Sequence, residues 1–199
     1  MSEQVINPES AAESLQRLTD GNRRFATGAR RAVTAADLEA MRAENARGQS
    51  PFAAVLTCAD SRVSPEIVFD ELLGSLFVIR EGGNVGDSSA TLGSLELAVQ
   101  ELQVPLILVL GHVGCAAVAA AQDAATPPGH LGAIVEAIRP RVTGIEDALQ
   151  AVCANIAGTC RTLVEKSPVL ADAQLRQVVH IAPALYDIGS GRVEFNLPG

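Results

Sequence analysis

Three short apolar runs, each continuous rather than alternating, constrain the fold of this chain most strongly. They lie at Phe52 to Cys58, Leu76 to Ile79 and Leu106 to Leu110, and a helical pattern follows each of them. A strand that reads as a continuous apolar run is covered on both faces, which is typical of parallel sheets built from strand–helix–strand units. The sequence therefore predicts an α/β fold with a central, mostly parallel β-sheet flanked by helices.

Helical patterns lie before, between and after these runs. We predict helices over Pro8 to Phe25, Ala35 to Asn45 with Thr34 as its N-cap, Ala90 to Leu102, and Cys115 to Gln122. The stretch from Gly129 to Glu165 is also predicted to be mostly helical, with breaks at Pro140 and Gly144. The first two helices have polar faces and look like an arm that precedes the sheet.

The tail of the chain returns to β structure. We predict a fourth strand at Gln177 to Ile181, followed by a hairpin with arms at Leu185 to Ile188 and Arg192 to Phe195 around a Gly-Ser-Gly turn. The sequence shows neither an internal repeat nor a convincing domain boundary. We therefore expect a single domain over residues 1–199, with an N-terminal helical arm at 1–48 and an α/β core at 49–199.

Composition and charge exclude several classes of protein. A hydrophobic content of 48% in 199 residues is enough for a large core in one domain. The formal net charge of −8, with scattered basic residues, argues against a nucleic-acid partner. The first residues lack a basic start followed by an apolar run, and the longest apolar runs fall short of the roughly 20 residues that cross a bilayer. We expect a soluble, cytoplasmic protein that does not bind membranes.

Two of the four cysteines lie where open α/β sheets build their sites. Cys58 ends the first predicted strand and Cys115 follows the third, so both belong to the carboxyl ends of strands. His112 lies three residues before Cys115, and Gly111 and Gly114 let the chain turn so that the imidazole and the thiolate can converge. Two cysteines and one histidine suit zinc and leave a fourth position for water or a carboxylate. The pattern predicts a catalytic rather than a structural zinc site.

A charge pair follows the first of these cysteines. Asp60 and Arg62 lie two residues apart in the loop after Cys58. Such an aspartate can accept a proton from a metal-bound water or bind the metal itself, while the arginine orients it and keeps it ionised. The other two cysteines, Cys153 and Cys160, lie seven residues apart on one helical face, and we interpret them as core residues.

At these residues the chain resembles the β-class carbonic anhydrases. The matching segments are Cys-Ala-Asp-Ser-Arg at 58–62, Arg-Glu-Gly-Gly-Asn at 80–84 and Gly-His-Val-Gly-Cys at 111–115, within a resemblance that runs from about residue 49 to 195. It implies the β-carbonic anhydrase fold and zinc-dependent, reversible hydration of carbon dioxide to bicarbonate and a proton. It also implies zinc bound by Cys58, His112 and Cys115, with an Asp60–Arg62 dyad and Asp60 as a possible fourth ligand in a closed state.

The resemblance further implies substrate contacts and an assembly. Gln49, Phe77 and Gly114 match positions that line the substrate pocket in the family. The expected assembly is a homodimer, or a dimer of dimers, whose N-terminal helices embrace the partner. The chain departs from the family pattern at Glu81, where Asn is common, which adds a carboxylate near the site or the subunit interface.

Other functions stay open at this stage. Within the family, some members hydrolyse carbonyl sulfide or carbon disulfide with the same metal ligands, and the shape of the pocket would decide between the substrates. A non-catalytic zinc or redox module is a further alternative, although it has no use for the Asp60–Arg62 pair. A metal-free domain that binds a small molecule is the weakest alternative.

Overall fold

The computed structural model, which describes residues 9–125, 127–195 and 197, contains a five-stranded sheet. Its strands are β1 (Ala53–Cys58), β2 (Leu76–Glu81), β3 (Leu106–His112), β4 (His180–Tyr186) and β5 (Val193–Glu194). They lie in the order β2-β1-β3-β4-β5, and only β5 pairs in the antiparallel sense. The predicted α/β fold with a mostly parallel sheet is confirmed.

Helices connect the strands and precede the sheet. They are α1 (Ala11–Ala26), α2 (Ala35–Asn45), α3 (Pro65–Val68), α4 (Ser89–Gln100), α5 (Ala116–Gln122), α6 (Leu131–Val142), α7 (Ala148–Lys166) and α8 (Pro168–Leu175), with a 3₁₀ turn at Gly82–Asn84. Both arm helices begin with a capping box, Ser10 with Glu13 and Thr34 with Asp37. The predicted N-cap at Thr34 is therefore confirmed, whereas the predicted helix start at Pro8 lies outside the described residues. Among those residues, no helix is both long and apolar enough to cross a membrane.

Two hydrophobic clusters cover the two faces of the sheet, because side chains alternate along each strand. On one face, Leu56 and Val109 belong to a cluster with residues of α4, α5, α6, α7 and α8. On the other face, Val55 and Leu108 belong to a cluster with Leu18 of α1 and with residues of α3. Each of these fully buried side chains contributes roughly 2 kcal/mol to folding. The strands that carry the candidate site are thereby fixed from both sides.

The edge strand β2 differs from the prediction. Every residue of β1 and β3 is buried, as continuous apolar runs predict, but β2 is half-buried along most of its length and exposed at Arg80. The expectation that all three strands are covered is therefore wrong for β2. Among the described residues, β2 is an edge strand with a neighbour on the β1 side alone.

The sequence also misplaced the fourth strand. It begins at His180 rather than Gln177 and continues to Tyr186, so it includes the start of the predicted hairpin arm. Gln177 instead has a φ of 59°, which is turn geometry. Pro183 lies within β4, which tolerates it because β5 pairs with β4 only at Leu185 and Tyr186. The hairpin itself is present as β4 and β5.

A second correction concerns the helical region after Gly129. Pro140 does not break α6, which continues through it to Val142. A proline in the last turn removes one hydrogen bond but leaves most of the helix intact. The chain turns only at Gly144, whose φ is 80°. The predicted break at Gly144 is confirmed, and the one at Pro140 is wrong.

Buried carboxylates tie the N-terminal arm to the loop after α3. Asp70 is bonded by Nε of Arg24 at 2.6 Å and lies 3.3 Å from Nε of Arg31. Glu71 accepts two hydrogen bonds from Arg17, at 2.8 and 3.0 Å. Burial raises the pKa of Asp70, but the arginines lower it by more, so the carboxyl stays ionised. These ion pairs fix α1 and the start of the arm on the sheet.

We predict that Asp70→Asn lowers the free energy of unfolding at pH 7 by about 3 kcal/mol, because the arginines lose their buried partner. Denaturant unfolding followed by circular dichroism measures the loss. Because the folded pKa of Asp70 is depressed, this stabilisation is complete above the unfolded pKa of about 3.9 and disappears as the pH falls through the lower folded value. Wild type and variant should converge in acid.

The matched control is Asp172→Asn. Asp172 forms an exposed i,i+4 ion pair with Arg176 on α8, and such pairs contribute little. The control should unfold almost as wild type does. Equal losses in the two variants would show that the Asp70 cluster is no more than a surface ion pair.

Candidate metal centre

The carboxyl ends of β1 and β3 bring three buried ligand-type side chains together. The two strands are parallel neighbours, so Cys58 at the end of one lies beside His112 at the end of the other. Cys115 follows as the N-cap residue of α5. One ligand atom from each residue lies within 4.8 Å of the other two, and the sulfur atoms of Cys58 and Cys115 are 4.0 Å apart.

His112 offers a ring nitrogen to this cluster. Its Nδ1 lies 3.1 Å from the carbonyl oxygen of Val113 and donates to it, so Nε2 carries the free lone pair when the ring is neutral. Nε2 is buried and has no hydrogen-bond partner among the described residues. Two sulfur ligands at about 2.3 Å from a tetrahedral zinc ion lie ~3.8 Å apart, close to the observed spacing. The donor set therefore fits zinc.

The two thiols of the cluster titrate as a pair. Hydrogen bonding with Cys115 lowers the pKa of Cys58 to about 4, with further help from His112 and nearby backbone amides. The same contact, together with burial, raises the pKa of Cys115 well above its usual value. Burial lowers the pKa of His112, and the neighbouring Cys58 and Asp60 raise it by more. Protons on Cys115 and His112 therefore compete with a cation, and metal binding weakens in acid.

Asp60 lies beside the cluster and Arg62 holds it in place. Oδ1 accepts hydrogen bonds from the backbone N–H and Nε of Arg62, both at 2.9 Å, and Oδ2 accepts one from Nη2 at 2.7 Å. These bonds hold the pKa of Asp60 well below its usual range. Oδ2 lies 3.8 Å from Nε2 of His112. The structure thus brings an ionised carboxylate next to the metal position.

Arg80 fixes the loop between Cys58 and Asp60, a role that the sequence analysis missed. Its Nε donates to the carbonyl oxygen of Cys58 at 3.2 Å and its Nη2 to that of Asp60 at 2.6 Å. Two signals were available: its place in the matching segment at 80–84, and its place near the end of β2, beside the strand that ends at Cys58. The carboxylate of the neighbouring residue Glu81 accepts hydrogen bonds from the amide of Gly86 and the hydroxyl of Thr91.

The glycines around His112 serve two different purposes. A Cβ on Gly111 would lie 2.5 Å from Cγ1 of Ile156, so the close approach of α7 requires glycine there. Gly114 has a φ of 72°, which allows the tight turn between His112 and Cys115. The turn expected from the sequence is present, and contact of Gly114 with a substrate stays a prediction.

Two of the expected substrate residues lie away from the cluster. Phe77 of β2 pairs with Ala54, four residues before Cys58, which is about 13 Å along the strand at roughly 3.3 Å per residue. Gln49 precedes β1 and is exposed, at the opposite end of that strand from Cys58. The chain on its own therefore brings neither residue beside its own metal position.

Sequence comparison identifies the family. The family model described as Carbonic anhydrase matches residues 53–193. Carbonic anhydrase 2 of Mycobacterium tuberculosis is 38% identical over 195 residues, which cover 94% of this chain and 91% of that protein. A carbonic anhydrase of Mycolicibacterium smegmatis is 36% identical over 197 residues, which cover 94% and 93% of the two chains. The chain belongs to the carbonic anhydrase family of enzymes.

Comparison with solved structures defines the class. The β-carbonic anhydrase of Coccomyxa in complex with acetazolamide has a TM-score of 0.71 and 26% identity, covering 91% of this chain and 85% of that chain. A tetrameric β-carbonic anhydrase of Sordaria macrospora has a TM-score of 0.71 and 23% identity, covering 77% and 84%, and so reports on the fold alone. The fold is that of the β class.

We predict that Cys115→Ala abolishes stoichiometric zinc binding, because one thiol and one imidazole are too few ligands for a stable site. Zinc measured by elemental analysis after dialysis should fall from about one per chain to a trace. Cys153→Ala is the matched control, since Cys153 is a free, half-buried thiol on α7 outside the cluster. Retention of zinc by the Cys115 variant would contradict the assignment.

Proposed function

We propose that this chain is a zinc-dependent carbonic anhydrase that reversibly converts carbon dioxide and water into bicarbonate and a proton. The observation that carries the proposal is the buried Nε2 of His112, which has no hydrogen-bond partner in the described part of the chain. It lies with two thiols within 4.8 Å and with an ionised Asp60 at 3.8 Å. Membership of the carbonic anhydrase family supports the reaction, and the donor set supports the metal.

Three side chains would hold the metal. Cys58, His112 and Cys115 supply two sulfur ligands and one nitrogen ligand, which leaves a fourth coordination position for water. When bound, zinc supplies a Lewis acid that lowers the pKa of a water molecule, the chemistry for which three-histidine carbonic anhydrases are the usual example. Two thiolates would donate more charge to a bound zinc ion than two imidazoles, so a hydrogen-bond acceptor beside the site would favour loss of a proton from water.

We assign the role of this acceptor to Asp60. Its Oδ2 lies 3.8 Å from Nε2 of His112. Arg62 fixes the orientation of the carboxylate through three hydrogen bonds. Since these bonds keep its pKa low, Asp60 does not retain a proton near neutral pH. Its role is to accept a hydrogen bond and orient the water toward the carbon of carbon dioxide. The proton then passes to buffer.

The proposal includes a second copy of the chain. Gln49 and Phe77 lie away from their own metal position, so they could contact substrate only at the site of a partner. In the single chain, β2 is half-buried and α2 has no buried residue, which leaves both available for covering. A homodimer or a dimer of dimers accounts for these features.

Stopped-flow carbon dioxide hydration between about pH 6.5 and 9 tests the proposal. Zinc per chain and mass by sedimentation are measured on the same sample, and carbonyl sulfide serves as a parallel substrate. We expect rapid hydration by an oligomer that carries zinc. Full zinc occupancy with turnover of carbonyl sulfide alone would transfer the assignment to that substrate, and zinc without either activity would indicate a non-catalytic module.

We also predict that Asp60→Asn retains zinc but loses about 100-fold or more in kcat/KM, because an amide is a weaker acceptor for the reacting water. Activity and zinc content are measured together, which separates a lost acceptor from a lost metal. Asp172→Asn, in the exposed pair on α8, is the control and should keep wild-type activity. Full activity in the Asp60 variant would remove this residue from the mechanism.

A further inference from the structure

A half-buried arginine lies near the metal centre without a carboxylate on its guanidinium. The nitrogens of Arg141 donate to four neutral oxygens, namely Oδ1 of Asn155, Oγ1 of Thr159, Oγ1 of Thr162 and the carbonyl of Val85, at 2.7 to 3.1 Å. No carboxylate among the described residues forms an ion pair with it. Burial lowers the pKa of Arg141, while Asp87 and Glu81 act on it from a greater distance. Because burial of an unpaired cation is unfavourable, this arrangement needs a reason.

The network around Arg141 holds three consecutive carbonyl groups. Asn155 Nδ2 donates to the carbonyl of Gly83 at 2.8 Å, and Thr159 Oγ1 donates to that of Asn84 at 3.0 Å. Arg141 itself donates to the third, that of Val85, at 3.1 Å. Arg141 also donates to Oδ1 of Asn155 and Oγ1 of Thr159. Because these oxygens accept from Arg141, the amide of Asn155 and the hydroxyl of Thr159 are oriented to donate to the carbonyls of Gly83 and Asn84. One guanidinium thus orients the other two donors and is itself the third.

The segment held in this way lies against the metal centre. The 3₁₀ turn at Gly82–Asn84 directly follows β2 and contacts β1, the strand that ends at Cys58. A Cβ on Gly83 would lie 3.1 Å from that of Ala117, two residues after Cys115, so the segment also packs on the start of α5. Gly83 and Asn84 have φ values of 64° and 46°, in the left-handed region, which glycine adopts freely and asparagine more easily than most other residues. The Arg141 network holds the segment in this conformation.

We propose that Arg141 is a positioning residue for the metal centre. By fixing the carbonyls of residues 83–85, it keeps this loop packed against β1, which ends at Cys58, and against the start of α5, which follows Cys115, and so holds the two thiols in place for the metal. The inference rests on the proposed zinc site. The planar, five-donor guanidinium is required, because the ammonium of lysine has the same charge but lacks the fork that reaches α7 and the loop together. Gly158 makes room for it, since a Cβ there would lie 2.6 Å from Cδ of Arg141.

The test compares metal binding by Arg141→Gln and Arg141→Lys with wild type. Zinc affinity is measured by competition with a chelator, and the thiolate-to-cobalt charge-transfer band is recorded on cobalt-loaded protein. We expect a 10- to 100-fold loss of zinc affinity in both variants, the usual range for residues that orient metal ligands, and a shifted band. The control is Arg139→Gln, which removes bonds from the same helix to the carbonyls of Asp123 and Ala125 and should leave both readouts unchanged.

A second variant guards against simple loss of folding. Thr159→Val keeps a side chain of similar size and removes one hydroxyl, which donates to the carbonyl of Asn84 and accepts from Arg141, so it should weaken zinc binding in the same direction by a smaller factor. If the Arg141 variants do not fold, the zinc affinity of Thr159→Val tests the positioning role in their place. Because both residues act on one loop, the effects of Arg141→Lys and Thr159→Val should be less than additive.

The outcomes separate this inference from the proposed function. If Arg141→Gln keeps wild-type zinc affinity and an unchanged cobalt band, the positioning role is overturned and the proposed function is not. If Arg141→Gln does not fold, the same result in Thr159→Val has the same meaning. Wild-type behaviour in Arg141→Lys, with loss in Arg141→Gln, would assign the effect to charge and would also overturn the positioning role. Failure of the wild-type chain to bind zinc or cobalt would overturn the proposed metal site and this inference together.

Discussion

The parallel pairing of β1 with β3 is the constraint on which the rest of the structure depends. With Thr57 opposite Leu110, the register brings Cys58 and His112 to the same edge of the sheet. Both strands are buried along their whole length, so a slip of one residue would exchange the side chains of the two packed faces. The positions of the candidate ligands therefore follow from core packing and need no attraction between the ligands themselves.

The polar groups buried in this apolar core form clusters, and the clusters differ in how fully their charges and hydrogen-bonding groups are paired. Asp70 is a buried anion surrounded by arginines, and Arg141 is a half-buried cation surrounded by neutral oxygens. The thiols and His112 differ, because Nε2 has no hydrogen-bond partner in the described part of the chain. A partly satisfied buried cluster is unfavourable by itself. Binding of a cation would satisfy it, which is why we regard this cluster as the functional one.

Much of the candidate site could be predicted because its residues are tied to the ends of apolar runs. Such a run ends where the chain leaves the core, and this marks Cys58 and His112 without knowledge of any distant contact. The errors have the opposite origin. Pro140 is a local signal for a break, yet α6 continues through it. β2 is partly exposed because it lies at the edge of the sheet. The residues of β2 do not by themselves specify that position in the strand order.

The sequence by itself determined the α/β class, the three candidate ligands, the Asp60–Arg62 pair and the family resemblance, because each is a local pattern of a few neighbouring residues. Only the tertiary structure decided that Gln49 and Phe77 lie away from the metal position of their own chain. Only the tertiary structure shows, too, that Arg141 hydrogen-bonds the carbonyl of Val85, which lies 56 residues earlier in the sequence. Contacts of this kind depend on how helices and strands pack, and packing is a property of the whole chain.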